Sequence, residues 1–92
     1  MRMSQHAGGG SSTLKAEHER LKQLLKQTLE VVDELGACNK AAVYHRLKLR
    51  DDWTGGWMSC LEGLGLIEVI HRSGTQKLYR LSERGKRLLA DL

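Results

Sequence analysis

Leu14, His18, Leu21, Leu25, Thr28, Val32 and Leu35 recur at alternating spacings of four and three, with Leu24 and Val31 flanking the line. That period predicts one helix over 14–35, roughly 33 Å long at 1.5 Å per residue, closed by Gly36. Asn39 is placed to cap a second helix, "KAAVYHRLKL", whose inward line is Val43 and Leu47 with Leu49 just beyond. A third helix, 52–64, carries Thr54, Met58, Leu61 and Leu64 inward, with Asp51 or Asp52 as its cap and Gly65 at its end. "LIEVIHR" and "KLYRLS" are strand-like runs joined by "SGTQ", where Gly74 suits a tight turn. Ser82 then caps "ERGKRLLADL", with Leu88, Leu89 and Leu92 as apolar contacts. The expected architecture is mainly α with a small β hairpin, in the order helix, helix, helix, hairpin, helix. Residues 1–13, polar and rich in glycine and serine, are expected to form a flexible tail ahead of a single domain, 14–92.

The first helix is long for so small a domain. Its second half has the apolar positions to join a core, whereas its first half, "LKAEHERLKQLL", projects. Two readings stand: solvated outer turns, or a dimer interface built on Leu14, His18, Leu21 and Leu25.

Composition narrows the class. The 92 residues are 40% hydrophobic and 28% charged, contain no proline, and include no apolar run near the ~20 residues that span a bilayer. The start, "MRMSQHAGGGSSTLK", has no apolar signal region, so the expected setting is the cytoplasm, with no membrane partner. Cys38 and Cys60 stand 22 positions apart without a CxxC pair, and both are expected to be reduced and largely buried. The net charge of +4 is unevenly placed: residues 1–38 hold five basic and five acidic side chains, and residues 39–92 hold ten against six. The excess lies in the C-terminal part, as for a polyanion partner.

Two stretches carry a resemblance. "CLEGLGLIEVI" resembles the end of the recognition helix and the first wing strand of the winged helix-turn-helix superfamily, in the MarR, PadR and ArsR-like style. "LYRLSERGKRLL" resembles the segment in which the last wing strand feeds a capped helix with a glycine at its fourth position, here Ser82 and Gly85. The match covers about residues 28–90. It implies that helix 39–49 is the support helix, helix 52–64 the recognition helix and 71–77 the wing tip. Tyr44 departs from it, where a small residue is usual; Gly55 and Gly56 make room for its ring or keep the two helices close.

The recognition helix is a second departure. With Thr54, Met58 and Leu61 inward, the outward set is Trp53, Gly55, Gly56, Trp57, Ser59 and Cys60, poor in the donors that read base edges. Trp53, beside the helix start, and Tyr44 are expected to line the core. Trp57 either touches DNA or a partner, or folds back over Leu61 or a side chain of the second helix. The surroundings suit DNA better. Arg46, Lys48 and Arg50 flank the turn before this helix, and Arg72, Ser73, Thr75, Gln76 and Lys77 populate the wing, with His45, His71 and Arg80 nearby. Together with Trp57 and Ser59 these are the candidate DNA-binding residues.

The resemblance therefore implies a sequence-specific regulator of double-stranded DNA, a homodimeric repressor acting by promoter occupancy. Its two recognition helices would lie about 34 Å apart on a pseudo-palindromic site. The alternative is a protein-interaction module using the Trp53/Trp57 surface. A metal- or thiol-responsive regulator is a lesser one, since Cys38, His45, Cys60 and His71 combine into a zinc shell only on paper and lack ligand-pair spacing. The acidic residues are scattered over helix faces and no serine adjoins a histidine base, so neither an enzyme nor a cofactor is expected.

Overall fold

Two short polar side chains set the helix starts around which the rest of the chain packs. Asn39 Oδ1 accepts from the Ala42 N–H at 2.9 Å and opens α2. Ser82 Oγ accepts from the Gly85 N–H at 2.9 Å and donates to the Gly65 carbonyl at 2.5 Å, so one hydroxyl caps a helix and pins the chain leaving another. The computed structural model describes the backbone from Met3 to Leu92 and the side chains from Leu14 onward. Its elements are α1 (Met3–Leu35), α2 (Lys40–Leu47), α3 (Asp51–Gly63), β1 (Ile67–Ser73), β2 (Gln76–Leu81) and α4 (Glu83–Asp91). The expected tail, 1–13, lies outside the residues whose side chains are described.

The order and the antiparallel hairpin are those expected of a winged helix-turn-helix. Three details differ from the sequence reading. Arg50, not Asp51 or Asp52, occupies the N-cap position of α3, in extended backbone and with no side-chain cap. The two aspartates fall inside the first turn, where the helix dipole favours negative charge, and Asp52 Oδ1 accepts from the Trp53 N–H at 2.9 Å. Lys48 ends α2 in a left-handed conformation at φ 57°, a place more often taken by glycine; its N–H satisfies the Tyr44 carbonyl. Cys38, in the link between α1 and α2, exchanges two backbone bonds with Tyr79 (Cys38 N–H to Tyr79 O at 2.9 Å, Tyr79 N–H to Cys38 O at 2.7 Å), adding a one-residue third strand beside β2.

The core gathers Leu29 and Val32 from α1, Val43 from α2, Met58 and Leu61 from α3, and Leu66, Ile67, Tyr79 and Leu81 from the hairpin and its approach. Thr54 is buried with Met58 and Leu61, as their spacing requires. On α1 the periodic line is only part of the buried face. That helix packs on α2, α4 and β2, so the covered arc widens to Thr28, Leu29, Val31 and Val32, while Leu35 at its end is 40% exposed. The helix reading of 14–35 thus omitted Leu29 and overvalued Leu35.

Gly85 has a steric reason. A Cβ built there would lie 2.1 Å from the Leu66 carbonyl oxygen and 2.9 Å from Leu81 Cδ1, so α4 reaches its seat only without a side chain at this position. A β-bulge at Ile70 shifts the register from Val69↔Tyr79 to His71↔Leu78 and adds local twist to the wing. Of the two cysteines, Cys38 is buried as expected, whereas Cys60 is exposed on α3. Among the described residues no helix is long and apolar enough to cross a membrane.

Candidate nucleic-acid interface

At 100° per residue, the three core positions of α3 leave Asp52, Gly56, Ser59 and Gly63 directly opposite, facing away from the body. A Cβ at Gly56 or Gly63 would meet nothing within 4 Å, so the outward ridge of this helix is nearly bare backbone. No arginine or lysine lies on it.

The two tryptophans occupy the flank nearer α1. Trp57 is half-buried, and its indole N–H donates to Thr28 Oγ1 at 3.0 Å. It folds back, its indole N–H held by α1 and its ring packed against the core cluster. Trp53 stacks on it with ring centroids 5.5 Å apart and is 46% exposed, so the expectation that Trp53 lines the core fails. Four residues separate the pair, one helical turn, and only the later one reaches the body.

The other flank of α3 faces the wing. Asp51, Gly55 and Ser59 line one wall of a cleft of about 450 Å³. Thr75, Gln76, Lys77 and Tyr79 form the opposite wall, and Lys40, Ala41 and Tyr44 of α2 close one end. The structure therefore brings together Ser59, Thr75, Gln76 and Lys77 of the candidate set. It adds Lys40, which the sequence reading missed although it stands immediately after the cap Asn39. Tyr44 is half-buried and lines this cleft, with its ring centroid 4.5 Å from that of His45. Gly55 keeps the passage open, since its absent side chain would touch the Lys40 stem at 3.7 Å.

Most cations here already have carboxylate partners. Lys40 Nζ lies 2.8 Å from Asp51, Arg50 3.0 Å from Asp52, Lys77 3.7 Å from Glu62 and Arg80 2.6 Å from Glu68. Arg46 pairs with Glu34 of α1, which turns it away from the wing. Lys48 shares that side, in a shallow groove with Gln27, Glu30 and Glu34. Among the described residues, Lys48 and Arg72 make no ion pair. Arg72 stands opposite Lys77 in the hairpin, and Ser73 opposite Gln76, so the exposed tip turns on Gly74 and Thr75 between two cations. Exposed pairs of this kind are individually weak, and a phosphate oxygen competes well for either cation.

Two groups near the cleft are shifted. The hydrogen bond to Asp51 holds Lys40 above the usual lysine range. Burial, followed by the Glu62 carboxylate, pushes the Tyr79 phenol up. Among the described residues no group of three or more His, Cys, Asp or Glu side chains is placed to hold a metal ion.

This architecture recurs in solved structures. BpsR of Bordetella bronchiseptica, studied for the regulation of its DNA binding by 6-hydroxynicotinic acid, superposes with a TM-score of 0.66 at 19% identity, over 88% of this chain and 68% of that one. A fragment, residues 1–100, of a possible transcriptional regulatory protein from Mycobacterium bovis gives 0.56 at 24% identity, over 82% and 88%. At such identities the likeness shows the fold alone. The sequence matches no family model and no curated protein.

Proposed function

We propose that this chain is a double-stranded DNA-binding transcriptional regulator, a homodimeric repressor that acts by occupying a promoter. What supports the reading most is the cleft between α3 and the wing, where Ser59, Thr75, Gln76 and Lys77 converge beside the unpaired Arg72 on a fold that other regulators share. In this reading the wing enters a minor groove and Arg72 and Lys77 take phosphates, with Lys40 at the far end of the cleft. Lys48 and Arg50 take flanking phosphates, and Arg46 contributes once it leaves Glu34. The bare ridge of α3 lies close over the major groove, with Ser59 as its donor. Trp57 acts through its seat on α1, holding α3 at a fixed angle. Selectivity then rests on DNA shape and deformability more than on base contacts.

A second reading draws on the exposed Trp53 and the paired cations: the stacked tryptophans are a docking surface for a protein partner. Fluorescence anisotropy with duplex pools enriched from a random library, beside an unselected pool, at about 50 and 200 mM salt separates the two. Preference for the enriched pool with a steep salt dependence supports the regulator. No binding to either pool at micromolar protein sinks it and moves the weight to the tryptophans.

A further inference from the structure

Tyr79 is only 5% exposed, yet among the described residues its hydroxyl makes no hydrogen bond. A phenol withdrawn from water gives up the bonds it had there, so a buried one without a partner is a loss that phenylalanine would avoid. Both backbone groups of Tyr79 are held by Cys38, which fixes the residue in its place. It lines the cleft between α3 and the wing, with Lys40, Asp51, Tyr44 and Ser59 around it.

We infer that this cleft binds a small neutral ligand bearing a vicinal diol, the chemistry shared by monosaccharides and the ribose of nucleosides. A ligand standing between α3 and the wing excludes duplex DNA from the same space. That exclusion rests on the regulator reading above; the binding itself does not.

The first support is the balance of charge. Lys40 is paired with Asp51 at 2.8 Å and Lys77 with Glu62 at 3.7 Å, so a ligand that leaves both pairs intact is uncharged.

The second is the Lys40–Asp51 pair itself, a donor and an acceptor one hydrogen-bond length apart, carried by α2 and α3. Adjacent hydroxyls of a diol have a similar separation. One donates to Asp51 while its neighbour accepts from Lys40. The bond to Asp51 holds Lys40 above the usual lysine range, so it remains an ammonium donor.

The third is Tyr79, which donates to a further oxygen of the ligand. Burial, followed by the Glu62 carboxylate, pushes its phenol up, so it keeps its proton through the neutral range. The hydroxyls of Tyr44 and Ser59 border the same space, and Gly55 adds no side chain to narrow it. About 450 Å³ lies within the range of small-molecule sites.

Amide chemical-shift titration of the isotope-labelled full chain tests the site. One arm uses D-glucose and D-galactose, another adenosine and uridine, with the 2′-deoxynucleosides as controls that lack the diol. Saturable shifts at residues 40–44, 51–59 and 75–79 below about 10 mM ligand are expected from one of the first two arms, which tells a saccharide from a ribose. Silence in both arms, or equal binding of the deoxynucleosides, overturns the proposal. Tyr79→Phe is expected to weaken binding at least about tenfold while its urea midpoint equals or exceeds that of the parent. A lower midpoint would mean that the hydroxyl serves the fold, which also overturns the proposal. Gly55→Leu, a plug on a helix that favours leucine over glycine, should abolish the shifts in a folded chain, and retained binding there places the ligand elsewhere.

Duplex anisotropy measured with and without the ligand reads the exclusion. Saturating ligand should raise the apparent dissociation constant for duplex at least about tenfold, and unchanged duplex affinity overturns the exclusion. A chain that binds the ligand and no duplex fails the regulator reading and leaves the site standing. Duplex binding without any ligand response fails the site alone.

Discussion

The indole N–H of Trp57 and the hydroxyl of Thr28 meet at 3.0 Å, and that hydroxyl in turn donates to the Leu24 carbonyl at 2.7 Å. One chain of bonds therefore runs from α3 through a buried threonine into the backbone of α1, where the projecting segment begins. Changes at either end are transmitted through a polar contact whose loss leaves a buried group short of a partner.

Trp57→Phe keeps most of the ring and removes the donor. It is expected to lower stability by about 1 kcal/mol in urea unfolding, and Trp57→Ala, which also opens a cavity, by about 2–4 kcal/mol. Combined with Thr28→Val, the phenylalanine variant should cost less than the sum of the two single changes, because both remove the same bond. Strict additivity would show that the bond contributes nothing.

Gly85 and Gly56 are expected to respond in opposite directions to alanine. At Gly85 the new Cβ meets the Leu66 carbonyl oxygen at 2.1 Å, so α4 must move off the hairpin, and a loss of at least about 2 kcal/mol is expected. At Gly56 the Cβ enters open space within a helix, where alanine is favoured over glycine by about 1 kcal/mol. Thermal unfolding should place Gly56→Ala above the parent and Gly85→Ala well below it. Under the regulator reading the stabilised Gly56→Ala binds DNA more weakly, since its methyl stands on the ridge that approaches the groove. Equal or tighter binding by that variant would remove the ridge from the interface.

The sequence made the fold legible because the fold's markers are local. Asn39 and Ser82 announce two helix starts, Gly36 and Gly65 two ends, and Thr54, Met58 and Leu61 one inward face; all stand where their spacing puts them. The candidate interface was less legible because its features depend on residues far apart in sequence. Periodicity assigns Trp53 and Trp57 to the same flank of α3, but only the position of Thr28 decides which one is covered. The pairing of Arg46 with Glu34, of Lys77 with Glu62 and of Lys40 with Asp51 depends on how helices cross, as does the bridge between Cys38 and Tyr79. Leu29 escaped notice because a helix covered on several sides buries a wider arc than a single stripe.

Alkaline pH should destabilise the fold through two buried groups beside that bridge. Burial raises Cys38, and burial followed by Glu62 raises Tyr79, so in the folded state both hold their protons to higher pH than in the unfolded chain. The stability they contribute is complete below the pH at which unfolded thiols ionise, about 8.5, and unfolded phenols, about 10. It declines as pH rises through that region towards the folded-state values. Urea midpoints measured from pH 7 to 11 should fall from about pH 8.5 upward, and Cys38→Ala should delay the onset to the tyrosine range. An unchanged profile in Cys38→Ala would clear the thiol of any part in it. Cys60, exposed and free, should react with iodoacetamide in the native state long before Cys38 does.

The wing cations should be distinguishable by salt. Arg72 makes no ion pair among the described residues, whereas Lys77 stands 3.7 Å from Glu62 and must leave that carboxylate to reach a phosphate. Under the regulator reading, Arg72→Ala and Lys77→Ala each weaken binding to all duplexes alike and reduce the slope of log affinity against log salt by about 1. Glu62→Gln removes the competitor without touching the cation, so it should tighten binding at low salt while leaving the slope of the parent. In the protein-docking reading neither the parent nor any of these variants binds duplex at micromolar protein. Anisotropy titrations of these three variants over about 50–300 mM salt therefore test whether Lys77 is held in reserve by Glu62 or is an ordinary solvated charge. A slope unchanged by Lys77→Ala but reduced by Arg72→Ala would confine phosphate contact to the unpaired side of the wing. The cleft would then lose its part in the reading, and α3 would have to approach DNA from the Arg72 face alone.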